Sequence, residues 1–414
     1  MQTKVNLAAS LSLRHLKAAR CVADHGNVTR ASRALNRTQS AITKSLNELE
    51  AQLGLKLFDR SPRGMSLTAH GEVFITRIRE AESRFTEAGN AYSGLPGKIH
   101  TQRSNPSINP IFSMNISRKR LAAFLAVHDT RNITAAATRL GITRTAIYSS
   151  IRQLEKLLEL RLFESSSPRL TRSDYCKTLA THVKLAFSLI GHAVDEMASI
   201  DGVTQGQVVI GALPYSRTLL IPRTIQSVLK QHSQLRISTR EGPYDVLETS
   251  LRNGDIDLII GATRRNTKST GLHIENLFED KLALIARAEH PAIKEKLTLE
   301  KLTRYGWILP PAPTPARQLF DKYVDQQGVS LPQQVVETSS LSTIRGLLLE
   351  SDRIALLSTH QVYYDELAGL LVTLPIKLHG TFRPIGITIR ANTSPSPAAK
   401  LFVNELKITA KEML

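Results

Sequence analysis

The chain has 414 residues, 42% of them apolar, which suits two to four packed domains and excludes wholesale disorder. No run of about 18 apolar residues occurs, which excludes a membrane-spanning helix, and the first residues lack the apolar core of a signal peptide. The net charge is +18, with +8 on residues 1–113, +5 on 114–205 and +5 on 206–414, so the first half carries most of the excess and suits a polyanion. Two cysteines, Cys21 and Cys176, fall inside helical patterns and read as free thiols of a cytoplasmic protein.

Shifted by 105 residues, Leu16–Phe58 overlays Leu121–Phe163 without a gap and with eighteen identities. In the first copy Leu13, Leu16, Ala19 and Val22 form one helical stripe. Thr29 is expected to cap a short second helix ending near Asn36, and Thr38 to cap a third, QSAITKSLNELEAQL. On that third helix Ala41, Ile42, Leu46, Leu49 and Leu53 face inward, leaving Gln39, Ser40, Thr43, Lys44 and Asn47 outside. Two helices about a tight turn, the second with a small polar and basic face, is helix-turn-helix geometry. Gln39 can bond a base edge and Lys44 a phosphate. DRSPRGMSLT then reads as a wing whose Arg60 and Arg63 neutralise backbone charge.

The stretch RTQSAITKSLNELEAQLGLKLFDR resembles the winged helix-turn-helix of LysR-type regulators, whose third helix runs into L-E-x-x-L-G-x-x-L-F-x-R. Leu49, Glu50, Leu53, Gly54, Leu57, Phe58 and Arg60 match it. The resemblance implies that Thr38, Gln39, Ser40, Thr43 and Lys44 face duplex DNA, with Arg63 in the wing. The second copy departs from the pattern. Glu159 replaces the glycine, Ser165 replaces the arginine, and the wing SSSPRLT reads as two residues shorter. Its outward residues would be Arg144, Thr145, Tyr148, Ser149 and Arg152. Two roles stay open for it: a second DNA contact, or a structural module at a dimer interface.

Residues 94–113 are rich in Gly, Pro, Ser and Asn and read as a flexible tether. Residues 173–200 form an amphipathic helix bearing Leu179, Val183, Ala186, Leu189 or Ile190, and Val194, and a second subunit is the expected cover for that stripe. From Gly206 short β-rich runs alternate with helices, which predicts an α/β domain with a mainly parallel sheet. LysR-type effector domains are similar to periplasmic solute-binding proteins. The resemblance implies lobe one at about 206–282 plus 385–410 and lobe two at 283–384. Ligands in such sheets lie at the carboxyl ends of strands. Those ends hold Pro214, Tyr215, Ser216, Pro243, Tyr244, Thr263, Pro311 and Thr314, with Arg217 and Arg317 nearby.

The expected architecture is therefore multidomain. Winged helix-turn-helix units occupy 11–70 and 116–172, a helix 71–93, a linker and dimerisation helix 173–200, and a two-lobed effector domain 206–410. The GALPYSR and DLIIGATRRN stretches resemble the galactose-binding-protein regulator subgroup, which implies a sugar or sugar acid as effector; aromatic acids stay open. No phosphate loop, metal-ligand spacing or nucleophile elbow occurs, so neither an enzyme nor a cofactor is expected. The partners implied are duplex DNA, a small-molecule effector, RNA polymerase and further copies of the chain as a homodimer or homotetramer. The rival reading is a solute-binding adaptor that never meets DNA.

Overall fold

A computed structural model describes residues 5–62, 64–96, 105, 108–164, 169–200, 202, 205–264, 271–312, 314–391 and 393–413. Contacts divide the chain into two units, residues 1–206 with 252–255, and residues 207–251 with 256–414.

In the first unit, α1 (Val5–Ser10) precedes a three-helix bundle of α2 (Leu13–His25), α3 (Val28–Ala34) and α4 (Gln39–Leu53). A hairpin, β1 (Phe58–Ser61) and β2 (Gly64–Leu67), leads into the long helix α5 (Ala69–Ser93). The same series follows as α6 (Arg118–Thr130), α7 (Ile133–Leu140), α8 (Arg144–Leu158), β3 (Phe163–Glu164), β4 (Thr171–Arg172) and α9 (Asp174–Ile200). The second helix of each copy starts earlier than Thr29 suggests. Asn27 accepts from Arg30 N at 2.7 Å and Asn132 from Ala135 N at 3.0 Å, because asparagine caps as well as threonine and stands one step outside the first turn. Thr38 and Thr143 cap the third helices, each accepting a backbone N–H at 3.2 Å.

Ile42, Leu46 and Leu49 are buried as expected, while Ala41 and Leu53 are only half-buried. Glu50, only 5% exposed, is an unexpected member of the core. Its carboxylate accepts from Leu57 N (2.9 Å), Phe58 N (3.2 Å) and Lys56 Nζ (2.9 Å). Burial pushes its pKa up, but Lys56 and the two backbone donors outweigh burial and hold it below the usual range. Glu155 repeats the device with Leu162 N and Phe163 N, which accounts for the glutamate of the motif.

The second copy repeats the first's element order among the described residues. Glu159 ends α8 in the left-handed region (φ 48°), as Gly54 ends α4 (φ 69°), so the turn survives the loss of glycine at a strain cost of about 1–2 kcal/mol. The wings have equal length, since Phe58↔Leu67 and Phe163↔Arg172 pair at the same 105-residue offset; the shorter second wing is not found. Nor are residues 108–113 a tether. Asn109, Ile111 and Phe112 are at most 1% exposed, and Asn109 Nδ2 donates to Leu157 O at 3.3 Å. The α9 stripe is not left for another subunit either: it packs along α5 of the same chain. Cys21 and Cys176 are free and buried, and burial pushes the Cys176 thiol up to about 12.

The second unit is built on a sheet ordered β10-β9-β11-β8-β13-β7-β5-β6 with β12 beside β8. Its elements in chain order are β5 (Gly206–Ala212), α10 (Leu220–Gln231), β6 (Leu235–Glu241), α11 (Tyr244–Arg252), β7 (Leu258–Ala262) and β8 (Leu272–Arg287). Then come α12 (Leu299–Leu302), β9 (Trp307–Leu309), α13 (Pro315–Gln327), β10 (Val335–Glu337), α14 (Leu341–Leu349) and β11 (Ile354–Ser358). The series closes with α15 (Tyr363–Leu367), β12 (Leu371–Thr373), β13 (Phe382–Arg390) and α16 (Pro397–Glu412). The sheet is mixed rather than mainly parallel. β5 and β7, β9 and β10, and β9 and β11 are parallel, whereas β8 and β13 run antiparallel to their neighbours as they cross between the two lobes. Separate apolar cores lie around Val208, Ile210 and Phe402 in one lobe and around Trp307, Leu309 and Phe320 in the other.

Glu50→Ala is expected to destabilise the first unit by about 1.5–3 kcal/mol, the worth of charge-assisted hydrogen bonds. A carboxylate whose pKa is lowered on folding stabilises above its unfolded value of 4.5 and loses that contribution as pH falls. Denaturant melts should therefore show the difference at pH 7 shrinking below about pH 4.

Candidate DNA-reading face and effector cleft

The N-terminal turn of α4 carries the first site. Thr38 spends one lone pair on its cap, and its hydroxyl lies 3.1 Å from Ser40 Oγ. Gln39 and Ser40 are exposed and Thr43 is half-buried at the edge of the face. The Lys44 side chain is 77% exposed, with Nζ 3.8 Å from Glu48, a loose pair of a few tenths of a kcal/mol that a phosphate can replace. Arg60 Nη2 donates to Asn47 Oδ1 at 2.7 Å, which lays the wing's cation beside the helix. Arg63 lies outside the described residues. On α8, Arg144, Thr145 and Tyr148 are exposed, the last by 53%.

The second site is a cavity of about 710 Å³ between the two lobes of the effector unit, within the range of small-molecule sites. Pro214, Tyr215, Pro243, Pro311 and Thr314 line it together. Ser216 and Thr263 are not among its lining. A 3-10 turn at Pro214–Arg217 rotates Ser216 inward, where it is fully buried and donates to Leu213 O and Ile260 O at 2.9 Å. Thr263 donates to Asn276 Oδ1 at 3.0 Å and so ties β7 to the crossover strand β8. Both residues position the cavity wall.

The arginines divide differently from the sequence reading. Arg317 is absent from the lining and is held by Asp321 (2.8 Å) and Glu337 (2.6 Å). Arg217 lines the cavity but pairs with Glu241 at 2.9 Å. Arg264, which sequence reasoning missed, lines the cavity over the Tyr244 ring at 4.3 Å, and no acid pairs with it among the described residues. Arg383 also lines it, bound to the buried Asp280 at 3.0 Å. Asp280 accepts in turn from Ser358 Oγ at 2.6 Å. Tyr215 OH meets His360 Nδ1 at 2.6 Å, joining the two lobes. Burial and the Asp280 carboxylate raise the pKa of this phenol well above its usual value, so it keeps its proton. Thr338 and Ser339 complete the wall after β10, a three-residue strand too short to read in sequence.

Family profiles match both parts of the chain. The profile of the "Bacterial regulatory helix-turn-helix protein, lysR family" matches residues 13–72 and again 119–175, and that of the "LysR substrate binding domain" matches residues 201–411. The chain belongs to the LysR family of transcription regulators. It is 33% identical over 91% of its length to the HTH-type transcriptional regulator GalR of Pseudomonas putida, covering 92% of that protein. It is 29% identical to the uncharacterised regulator YdcI of Escherichia coli, 97% of which is covered by only 72% of this chain. Full-length CbnR complexed with its target DNA shares the fold, at TM-score 0.50 and 17% identity, over 71% of this chain and 99% of that one. This LysR-family chain is thus a DNA-binding transcription regulator with an effector-binding domain. Among the described residues no helix is long and apolar enough to cross a membrane.

Gln39→Ala is expected to lower the preference for operator over random duplex by roughly 1–3 kcal/mol while leaving non-specific affinity in place. Competition binding at fixed salt checks it; an unaltered preference removes Gln39 from the reading face.

Proposed function

We propose that this regulator reads a specific duplex through Gln39, Ser40, Thr43 and Lys44 of α4, with Thr38 setting the helix start. It responds to an anionic small molecule held between the lobes of its effector domain. The observation that supports the ligand class is Arg264, a cation without an acid partner among the described residues, in a cavity where Arg217 and Arg383 are already paired with Glu241 and Asp280 and the one other carboxylate in the lining is Asp245. Thr314 caps α13, and Thr338 and Ser339 precede α14, so two helix N-termini open toward the same space and favour negative charge. A sugar acid or an aromatic acid fits these groups better than a neutral sugar, which would leave Arg264 unanswered.

Binding between lobes that Tyr215 and His360 already bridge gives the effector a means of shifting their closure, since a ligand moves an equilibrium by its differential affinity for two states. RNA polymerase is the reader of that shift, and the cytoplasm, where the duplex lies, is the place of action. Association into a homodimer or homotetramer must use surfaces other than the α9 stripe, which α5 already fills.

The test is a thermal melt of the full chain against neutral sugars, sugar acids and aromatic acids. Acids are expected to raise the melting temperature, and Arg264→Ala to abolish the rise. Tyr215→Phe should leave operator affinity unchanged and blunt the effector response. Equal shifts by neutral sugars, or a full response in Arg264→Ala, contradict the proposal.

A further inference from the structure

The internal repeat continues beyond the wing. Ala69 and Asp174 open the two long helices at the same offset of 105, after Thr68 and Ser173, whose hydroxyls accept from Gly71 N (3.0 Å) and Cys176 N (3.2 Å). Buried positions of α5 fall on buried positions of α9: Phe74 on Leu179, Ile78 on Val183, Phe85 on Ile190, Tyr92 on Met197. The two helices pair with each other and run in opposite directions. Arg77, early in α5, binds Glu196, late in α9; Tyr175, early in α9, donates to Ala88 O, late in α5, at 2.9 Å. Glu87 and His182 meet at 3.5 Å in between. Near the middle stand Ala81 and Ala186, equivalent residues of the two copies and both fully buried. Flanking segments obey the same relation. Phe112 packs on Tyr92 of α5 with ring centres 5.6 Å apart, and α1, which stands at its place in the other copy, packs on α9. Equivalent helices that pair antiparallel about equivalent residues are related by a two-fold axis.

An axis of that kind presents α4 and α8 to a duplex in the same way, one in each half-site, because a protein's two-fold symmetry is mirrored in its operator. The symmetry is broken at the side chains. After the cap, Gln39 of the first copy becomes Arg144 in the second, Thr43 becomes Tyr148, Lys44 becomes Ser149 and Asn47 becomes Arg152. Arg144 and Arg152 are exposed, and no acid pairs with either among the described residues. Glutamine makes its two-point contact with adenine N6 and N7, and arginine with guanine O6 and N7. YdcI is covered to 97% by 72% of this chain, whereas GalR of Pseudomonas putida is covered to 92% by 91% of it.

We propose that one chain is a covalent pseudo-dimer that reads two unlike half-sites, Gln39 addressing adenine in one and Arg144 guanine at the two-fold-related place in the other. This rests on the DNA-reading role of α4 and adds a second, different reader to it. The operator departs from a palindrome where the protein departs from its two-fold axis.

The test is selection of duplexes by the full chain followed by nuclease footprinting of each half. Two inverted but unlike protected halves are expected. R144Q should switch the second half from guanine to adenine by on the order of 10- to 100-fold, leaving the first half alone, and Q39R should do the converse. Both positions are exposed, so circular dichroism and melting should match the parent. A footprint on one half that R144Q and R144A leave unmoved overturns the pseudo-dimer and spares the role of α4. The absence of any selective footprint overturns both.

Discussion

The first unit depends on the burial of α5 against α9. Each helix carries an apolar stripe too wide to leave in water, and each finds the other's. Arg77, 3% exposed, is held in that seam by Glu196 and, at 2.9 Å, by Glu80. A buried guanidinium is tolerable only when its charge is answered, and removing one partner of such a pair costs about 3–5 kcal/mol. Orientation and register of the two copies are fixed by the paired stripes together with Arg77–Glu196, Tyr175–Ala88 and Glu87–His182 along the seam. Tyr92 adds to this by donating to Leu158 O, which joins the first long helix to the end of the second reading helix. The placement of α4 and α8 within the first unit rests on this arrangement.

The effector domain obeys a comparable constraint at its crossovers. Asp280 on β8 and Arg383 on β13 sit opposite each other in register, and their ion pair lies where the two strands leave one lobe for the other. Arg383 also faces the cavity, so the group that stabilises the crossover touches what the cavity holds. The Tyr215–His360 hydrogen bond lies close by, with Tyr215 edge-on to the His360 ring at 5.9 Å.

Much of this was legible in the chain. The cap at Thr38 and the stripe Ile42–Leu46–Leu49 announce a helix-turn-helix unit because helix periodicity and capping are local physics, and the 105-residue offset announces its second copy. Strand-end residues such as Pro214, Pro243 and Thr314, named from the resemblance to two-lobed solute-binding domains, line one cavity. What escaped depends on partners far away in sequence. Glu50 looks like a solvent-facing glutamate until the strand after it supplies two N–H donors, and Arg77 looks exposed until Glu196 arrives from 119 residues on. Ser216 sits at the right place in sequence, but the 3-10 turn aims its hydroxyl into the protein. The α9 stripe was read correctly as needing cover, yet periodicity does not say which surface supplies it.

The decisive measurement is a charge-swap experiment on the α5–α9 seam. Arg77→Glu and Glu196→Arg should each lower the melting temperature of the first unit, and the two together in one chain should recover a large part of the loss. An equimolar mixture of the two single variants, refolded together, should stay as unstable as its components, because the pair forms within a chain. If the mixture recovers as fully as the double variant, the helices pair between chains and the account fails.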